Sequence, residues 1–154
     1  MVRAALFLAR FCSSAWIGAA TLFVIVGILE VTRGGFDATI KDTLVAIRFP
    51  PFYRAGATLV GLAWLGACLA EFHPELPTRR RAFAILSLLA ALALMFVDYH
   101  WVYTPLASMV RPPGQPKTIE FAHLHQASKY INLAGLFFSM VAAVALNWPS
   151  KKDQ

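Results

Sequence analysis

The stretch AFAILSLLAALALMFVDYHWVY, residues 82–103, decides the fold. No charged residue occurs from Ala82 to Val97. At about 1.5 Å of rise per residue the segment reaches about 33 Å as a helix, enough to cross a hydrocarbon core of about 30 Å. Leu, Ala and Met are good helix formers, so propensity and length agree. The run then leaves through Asp98, Tyr99, His100 and Trp101. Ionisable groups at the edge of such a run are costly unless they pair or bind something, so a functional site is expected there first.

Three further apolar runs have comparable reach, and together the four predict helices over about 6–29, 55–72, 82–103 and 120–148. The second is the shortest, and Phe52, Tyr53 and Phe72 extend it into the interfaces, where aromatic rings sit well. With 58% hydrophobic and 14% charged residues in 154 and a mean hydropathy of +0.60, the composition excludes a water-soluble domain of this size. The fold class expected is an all-α membrane protein, a single four-transmembrane-helix bundle over residues 1–154. Arg10 interrupts the first run, which continues to Leu29, so an uncleaved first helix is expected rather than a secretory signal.

Orientation comes from the density of positive charge. Arg3, Arg10, Arg79, Arg80, Arg81, Lys151 and Lys152 sit in short segments beside helix ends, whereas Arg33, Lys41, Arg48, Arg54, Arg111, Lys117 and Lys129 are spread through longer ones. The positive-inside bias acts in short flanks, so both termini are expected in the cytoplasm, here of a bacterial cytoplasmic membrane. The formal charge of +6 then reflects topology and attraction to anionic headgroups of the lipid bilayer, not a nucleic-acid surface. Cys12 and Cys68 form no CxxC pair and read as small buried residues.

Between the first two runs, Gly34-Gly35 breaks the chain, Asp37 can cap a new helix and Lys41 lies one turn further for an i,i+4 pair. Phe36, Ile40, Leu44 and Ile47 recur at helical spacing opposite Asp37, Lys41 and Arg48, which predicts a short interfacial helix over about 37–48, ended by Pro50-Pro51. The second membrane helix is rich in small residues, with Ala57/Gly61, Ala63/Ala67 and Gly66/Ala70 four apart, and reads as the packing helix and as a dock, over 55–70, for other membrane-protein subunits. Thr78 and Thr118 are placed to cap the third and fourth helices. His73 reads as a solvated loop residue.

This topology gathers Glu30, Arg54, Asp98, His100, His125, Ser128, Lys129 and Asn132 near one level of the bundle. On the fourth helix His125, Ser128 and Asn132 fall at i, i+3 and i+7, with Gly135 and Ser139 continuing the stripe, so they share a face that lipid would leave unsatisfied. His123 points about 200° away from His125 and is excluded from a shared site. Asp98 and His100 likewise diverge, and Pro105 is expected to end the third helix by disturbing the bond to Trp101. A structural cluster of Asp98, His125, Ser128 and Asn132 is therefore expected, with His125 close to Asp98 and Lys129 or Arg54 as candidate ion-pair partners of that carboxylate.

Trp16-Ile-Gly18, Phe49-Pro-Pro-Phe-Tyr53, Val97-Asp-Tyr-His-Trp101 with Pro105 and Met109, and His125-x-x-Ser128-x-x-x-Asn132-Leu133 together resemble the transmembrane protein 205 family over nearly the whole chain. The family often has Asn where this chain has Asp98 and Gly where it has Gln126. The resemblance implies a four-helix membrane protein and supplies no settled activity. More distantly, the plan is similar to copper-resistance-D-like proteins. Three function classes compete. A structural or accessory membrane subunit would use the polar cluster as glue. A binding or transport protein would hold haem through His125 and His100, or a transition metal through His125, His100 and Asp98. An intramembrane hydrolase would need Ser128 activated by His125. The first is the expected function, without catalytic residues.

Overall fold

The computed structural model describes residues 2–70 and 76–149, and its regular structure is wholly helical. The order is α1 (Val2–Thr32), α2 (Ala38–Leu69), α3 (Thr78–Val97), a π-helical turn (Asp98–Tyr103), α4 (Thr104–Met109) and α5 (Ile119–Asn147). The third, π-helical and fourth segments run on as one rod, Thr78–Met109. Among the described residues there are thus 4 helices long and apolar enough to cross a membrane.

The interior is built from narrow stripes of small side chains. In α1 the buried positions are Leu6, Ala9, Cys12, Trp16 and Ala20, in α2 Val60, Ala63, Ala67 and Ala70, in α3 Ala84, Leu88 and Ala91, and in α5 Ala142, Ala145 and Leu146. Steps of three and four keep each set on one helical face. Alanine and glycine there let backbones approach until dispersion contacts carry the packing. The closest approach to another helix's backbone is at Gly66, where an added Cβ would lie 2.7 Å from the Ala5 carbonyl oxygen and 3.2 Å from the Ala9 Cβ. At Gly56 it would meet the Trp16 ring at 2.6 Å. The small-residue face of α2 containing Ala63, Gly66 and Ala67 is therefore turned inward, with α1 closing on Gly66, whereas Gly61 faces open space. The exterior is the reverse of a soluble protein, with Phe7, Phe11, Leu22, Val31, Leu69, Leu86, Phe137 and many others exposed.

Three local expectations need correction. The separate interfacial helix over 37–48 is absent, because α2 runs unbroken from Ala38 through Pro50 and Pro51. Two prolines remove two backbone donors, but the flanking rings are held on both sides: Phe52 stacks on Phe23 at 4.0 Å and packs on Trp16 at 5.1 Å, and Phe49 stacks on Tyr103 at 5.5 Å. The amphipathic sense is also inverted. Phe36, Ile40 and Ile47 are exposed, while Asp42 is buried and Lys41 and Arg48 are half-buried. Asp37 does cap α2, accepting from the Ile40 amide at 2.8 Å, but Lys41 reaches back to the Val31 carbonyl oxygen at 3.3 Å.

Pro105 does not end the third span. The chain widens into a π-helical turn just before it, so that the Thr104 amide bonds to Tyr99, and the helix continues to Met109. Widening the turn changes which carbonyls need donors and accommodates a residue that has none. Thr78 does not cap its helix. Pro77 occupies the cap position without a side-chain bond, its φ of −55° suiting helix initiation. Thr118 caps α5, accepting from the Phe121 amide at 3.2 Å. The fifth helix ends under two guanidinium groups, Arg10 donating to the Leu146 carbonyl at 2.8 Å and Arg80 to that of Trp148 at 2.7 Å. His73, Lys151 and Lys152 lie outside the described residues.

Replacing Gly66 by Ala should lower the thermal unfolding midpoint in detergent, since overpacking against backbone costs about 1–3 kcal/mol. The same change at Gly61 should be neutral or slightly stabilising through helix propensity. Equal damage at both positions would contradict the packing of α2 on α1.

Candidate functional site

Asp98 is fully buried, with 0% of its surface exposed. Its Oδ2 accepts from three side chains on two other spans: the Tyr53 hydroxyl of α2, the Ser128 hydroxyl of α5 at 3.1 Å and the Asn132 amide of α5 at 2.5 Å. The Asn132 amide also donates to Ser128, at 2.9 Å to its carbonyl and 3.2 Å to its hydroxyl oxygen. The other carboxyl oxygen, Oδ1, is buried without a hydrogen-bond partner among the described residues. Three spans are thereby tied to one atom.

The π-helical turn sets this geometry. In an α-helix, residues five apart lie about 140° from each other. A turn bonded at i→i+5 brings them nearly into register, and Asp98 and Tyr103 are both buried in the observed turn. Tyr53 packs at 5.0 Å on Tyr103 and at 5.2 Å on Tyr99, which fixes the phenol so that its hydroxyl reaches Asp98. Thr104 reinforces the turn, its hydroxyl donating to the Tyr99 carbonyl at 2.7 Å.

Of the residues singled out in the sequence, Asp98, Ser128 and Asn132 come together and His125 does not join them. His125 is exposed, stacked on Phe121 at 5.9 Å, and forms no hydrogen bond or ion pair with Asp98. His100 is exposed as well, packed on Phe96 at 4.4 Å and Tyr99 at 5.1 Å. Among the described residues no three His, Cys, Asp or Glu side chains are grouped as a metal ion requires, so Asp98, His100 and His125 do not form a ligand set. The Ser128 hydroxyl is committed to Asp98 and not to His125, one turn before it. Neither expected cation pairs with Asp98: Lys129 donates to Gln126 at 3.4 Å and Arg54 to the Pro50 carbonyl at 3.4 Å.

Two features escaped the sequence. Tyr53 reads there as an interfacial ring, and only its burial beside Asp98 reveals the hydroxyl's role. Asp42 lies on the face of α2 that packs inward and accepts from Lys117 at 2.6 Å and from the Gly114 amide at 2.9 Å. It pins the α4–α5 loop to α2 across 75 residues of sequence, a separation that leaves no local signal. A parallel tie joins α1 to α2, where Arg48 pairs with Glu30 and covers the Phe23 ring at 4.8 Å.

Comparison of the chain with protein-family models, with curated proteins and with solved structures gives no match.

The network makes a ranking. Asp98→Ala strands three donors and should destabilise most, Tyr53→Phe and Asn132→Leu should each cost about 1–2 kcal/mol, and His125→Ala should stay within about 0.5 kcal/mol of wild type. A double-mutant cycle on Tyr53 and Asp98 should give a coupling of about 0.5–3 kcal/mol. Thermal unfolding in detergent reads all five variants, and a coupling near zero would remove Tyr53 from the network.

Proposed function

We propose that this chain is an integral protein of a bacterial cytoplasmic membrane, with both termini in the cytoplasm, and that it acts as a structural or accessory membrane subunit. The observation that carries the reading is the saturation of Asp98 Oδ2 by Tyr53, Ser128 and Asn132. The most deeply buried carboxyl among the described residues is spent on joining the spans, and the hydroxyl beside it, that of Ser128, donates to that shared carboxyl oxygen and not to a histidine. The apolar exterior supports residence in lipid, since a patch this extensive would aggregate in water. The short segments around Arg3, Arg10 and Arg79–Arg81 support the orientation.

Membership in the transmembrane protein 205 family belongs to the same proposal. Its support is that the sequence elements behind the resemblance converge in space. Trp16 packs on Phe52, Tyr53 bonds to Asp98, and Asp98 accepts from Ser128 and Asn132. A motif scattered over four helices that assembles one network is what a shared architecture would preserve. Docking of a further subunit would use the lipid-facing remainder of α2, Ala57, Gly61 and Leu65, because α1 already covers Gly66.

Alkaline washing should leave the protein in the membrane, and reporter fusions at Pro77 and Gly114 should report opposite sides, with Pro77 cytoplasmic. Release by the wash, or both fusions on one side, would end the topology. The structural role is checked by the purified protein: Asp98→Ala should reduce stability, whereas a His100→Ala, His125→Ala double variant should keep wild-type stability, metal content and visible absorption. Loss of a bound metal or chromophore in the double variant would overturn it.

A further inference from the structure

We infer that the groove between α2 and the third span binds one anionic phospholipid, its phosphate at Arg54 and His100 and one acyl chain along the helices. The groove encloses about 540 Å³, with Tyr53, Arg54 and Ala57 on one wall and Leu89 to His100 on the other. That volume falls within the range of about 300–1,000 Å³ typical of small-molecule sites. The inference rests on the membrane reading proposed above.

The lining is polarised along its length. Leu89, Leu92, Ala93 and Ala57 form the deep part, and Arg54 and His100 stand at the end near Asp98. From Leu89 to His100 the groove tracks α3 for eleven residues, about 16 Å at the rise of a helix. Half of a hydrocarbon core about 30 Å thick is about 15 Å. The groove therefore spans one leaflet, with its polar end at headgroup level, which is the geometry of a lipid lying parallel to the helices and not of a soluble ligand.

Charge selects the headgroup. Arg54 is exposed and uses only its Nε within the fold, toward the Pro50 carbonyl. Among the described residues no carboxylate pairs with its guanidinium, and His100 makes ring contacts but no hydrogen bond. No acidic side chain among the described residues lines the groove, so no carboxylate there would pair with the ammonium of a zwitterionic lipid, whereas Arg54 favours a net negative headgroup. A guanidinium fork with two free nitrogens beside an imidazole suits a phosphate. Small residues at Ala57 and Ala93 leave room for the chain beneath.

The test uses the full-length protein in a neutral detergent with three probes: dioleoyl phosphatidylglycerol, dioleoyl phosphatidylcholine and inorganic phosphate. A ligand that binds only the folded state raises the unfolding midpoint as it saturates. Phosphatidylglycerol should raise it, and the other two should not. Arg54→Gln should weaken the apparent affinity for phosphatidylglycerol about tenfold or more, and Arg54→Lys by less. Ala93→Trp, which fills the groove and leaves Arg54 and His100 in place, should weaken it too, with circular dichroism confirming that each variant is folded. Equal effects of phosphatidylcholine would mean general lipid solvation, and equal effects of inorganic phosphate an anion site without a lipid. Either result, or indifference to Arg54→Gln, overturns the inference. A protein retained by membranes after alkaline washing but showing no preference for phosphatidylglycerol sinks this inference alone, whereas release by the wash sinks the membrane reading beneath it.

Discussion

A carboxyl group without any exposure has to be satisfied from within, and in this protein everything near one end of the bundle is arranged around that requirement. Burying a carboxyl is costly unless donors reach it, so each donor must come from a helix held at the right height and rotation. Tyr53, Ser128 and Asn132 meet the requirement at Oδ2 from two spans, and the span that bears Asp98 adjusts its own backbone to present that oxygen. The aromatic cluster of Phe23, Phe49, Phe52, Tyr53 and Tyr103 belongs to the same arrangement. A phenol can donate along a fixed direction only if its ring cannot turn, and the neighbouring rings remove that freedom.

The four long helices were legible from apolar run length, because hydrocarbon thickness sets a minimum that few soluble segments meet. The convergence of Asp98, Ser128 and Asn132 was legible too, since residues four apart on one helix share nearly the same face. The errors have a common origin. Pro50, Pro51 and Pro105 read as stops because a local rule takes no account of tertiary contacts, and here stacked rings and a π-helical turn supply what the prolines withhold. His125 reads as a neighbour of Asp98 because i and i+3 share a face, but it is exposed in the second turn of α5, and the stripe becomes partly buried only from Ser128 onward. Asp42 and Tyr53 could not be assigned from sequence, because the partners that give them meaning are dozens of residues away.

The two ends of the molecule solve different problems. At the end bearing the termini, small residues and guanidinium groups capping the carbonyls of α5 bring helices into near contact. At the other end, bulky rings, ion pairs and the Asp98 network hold them together.

The unbroken α2 has a mechanical consequence. Its 32 residues make a rod about 48 Å long, well beyond the thickness of a hydrocarbon core, so in the proposed membrane arrangement its first turns project beyond that core. Two absent backbone bonds at Pro50 and Pro51 make that step the compliant joint of the rod. A sideways force on the projecting turns would be taken up as bending at the joint, with the Arg48–Glu30 and Lys117–Asp42 pairs acting as guy lines against it. Tyr53 is two residues beyond the joint, which makes its hydroxyl the first interior contact to feel the strain.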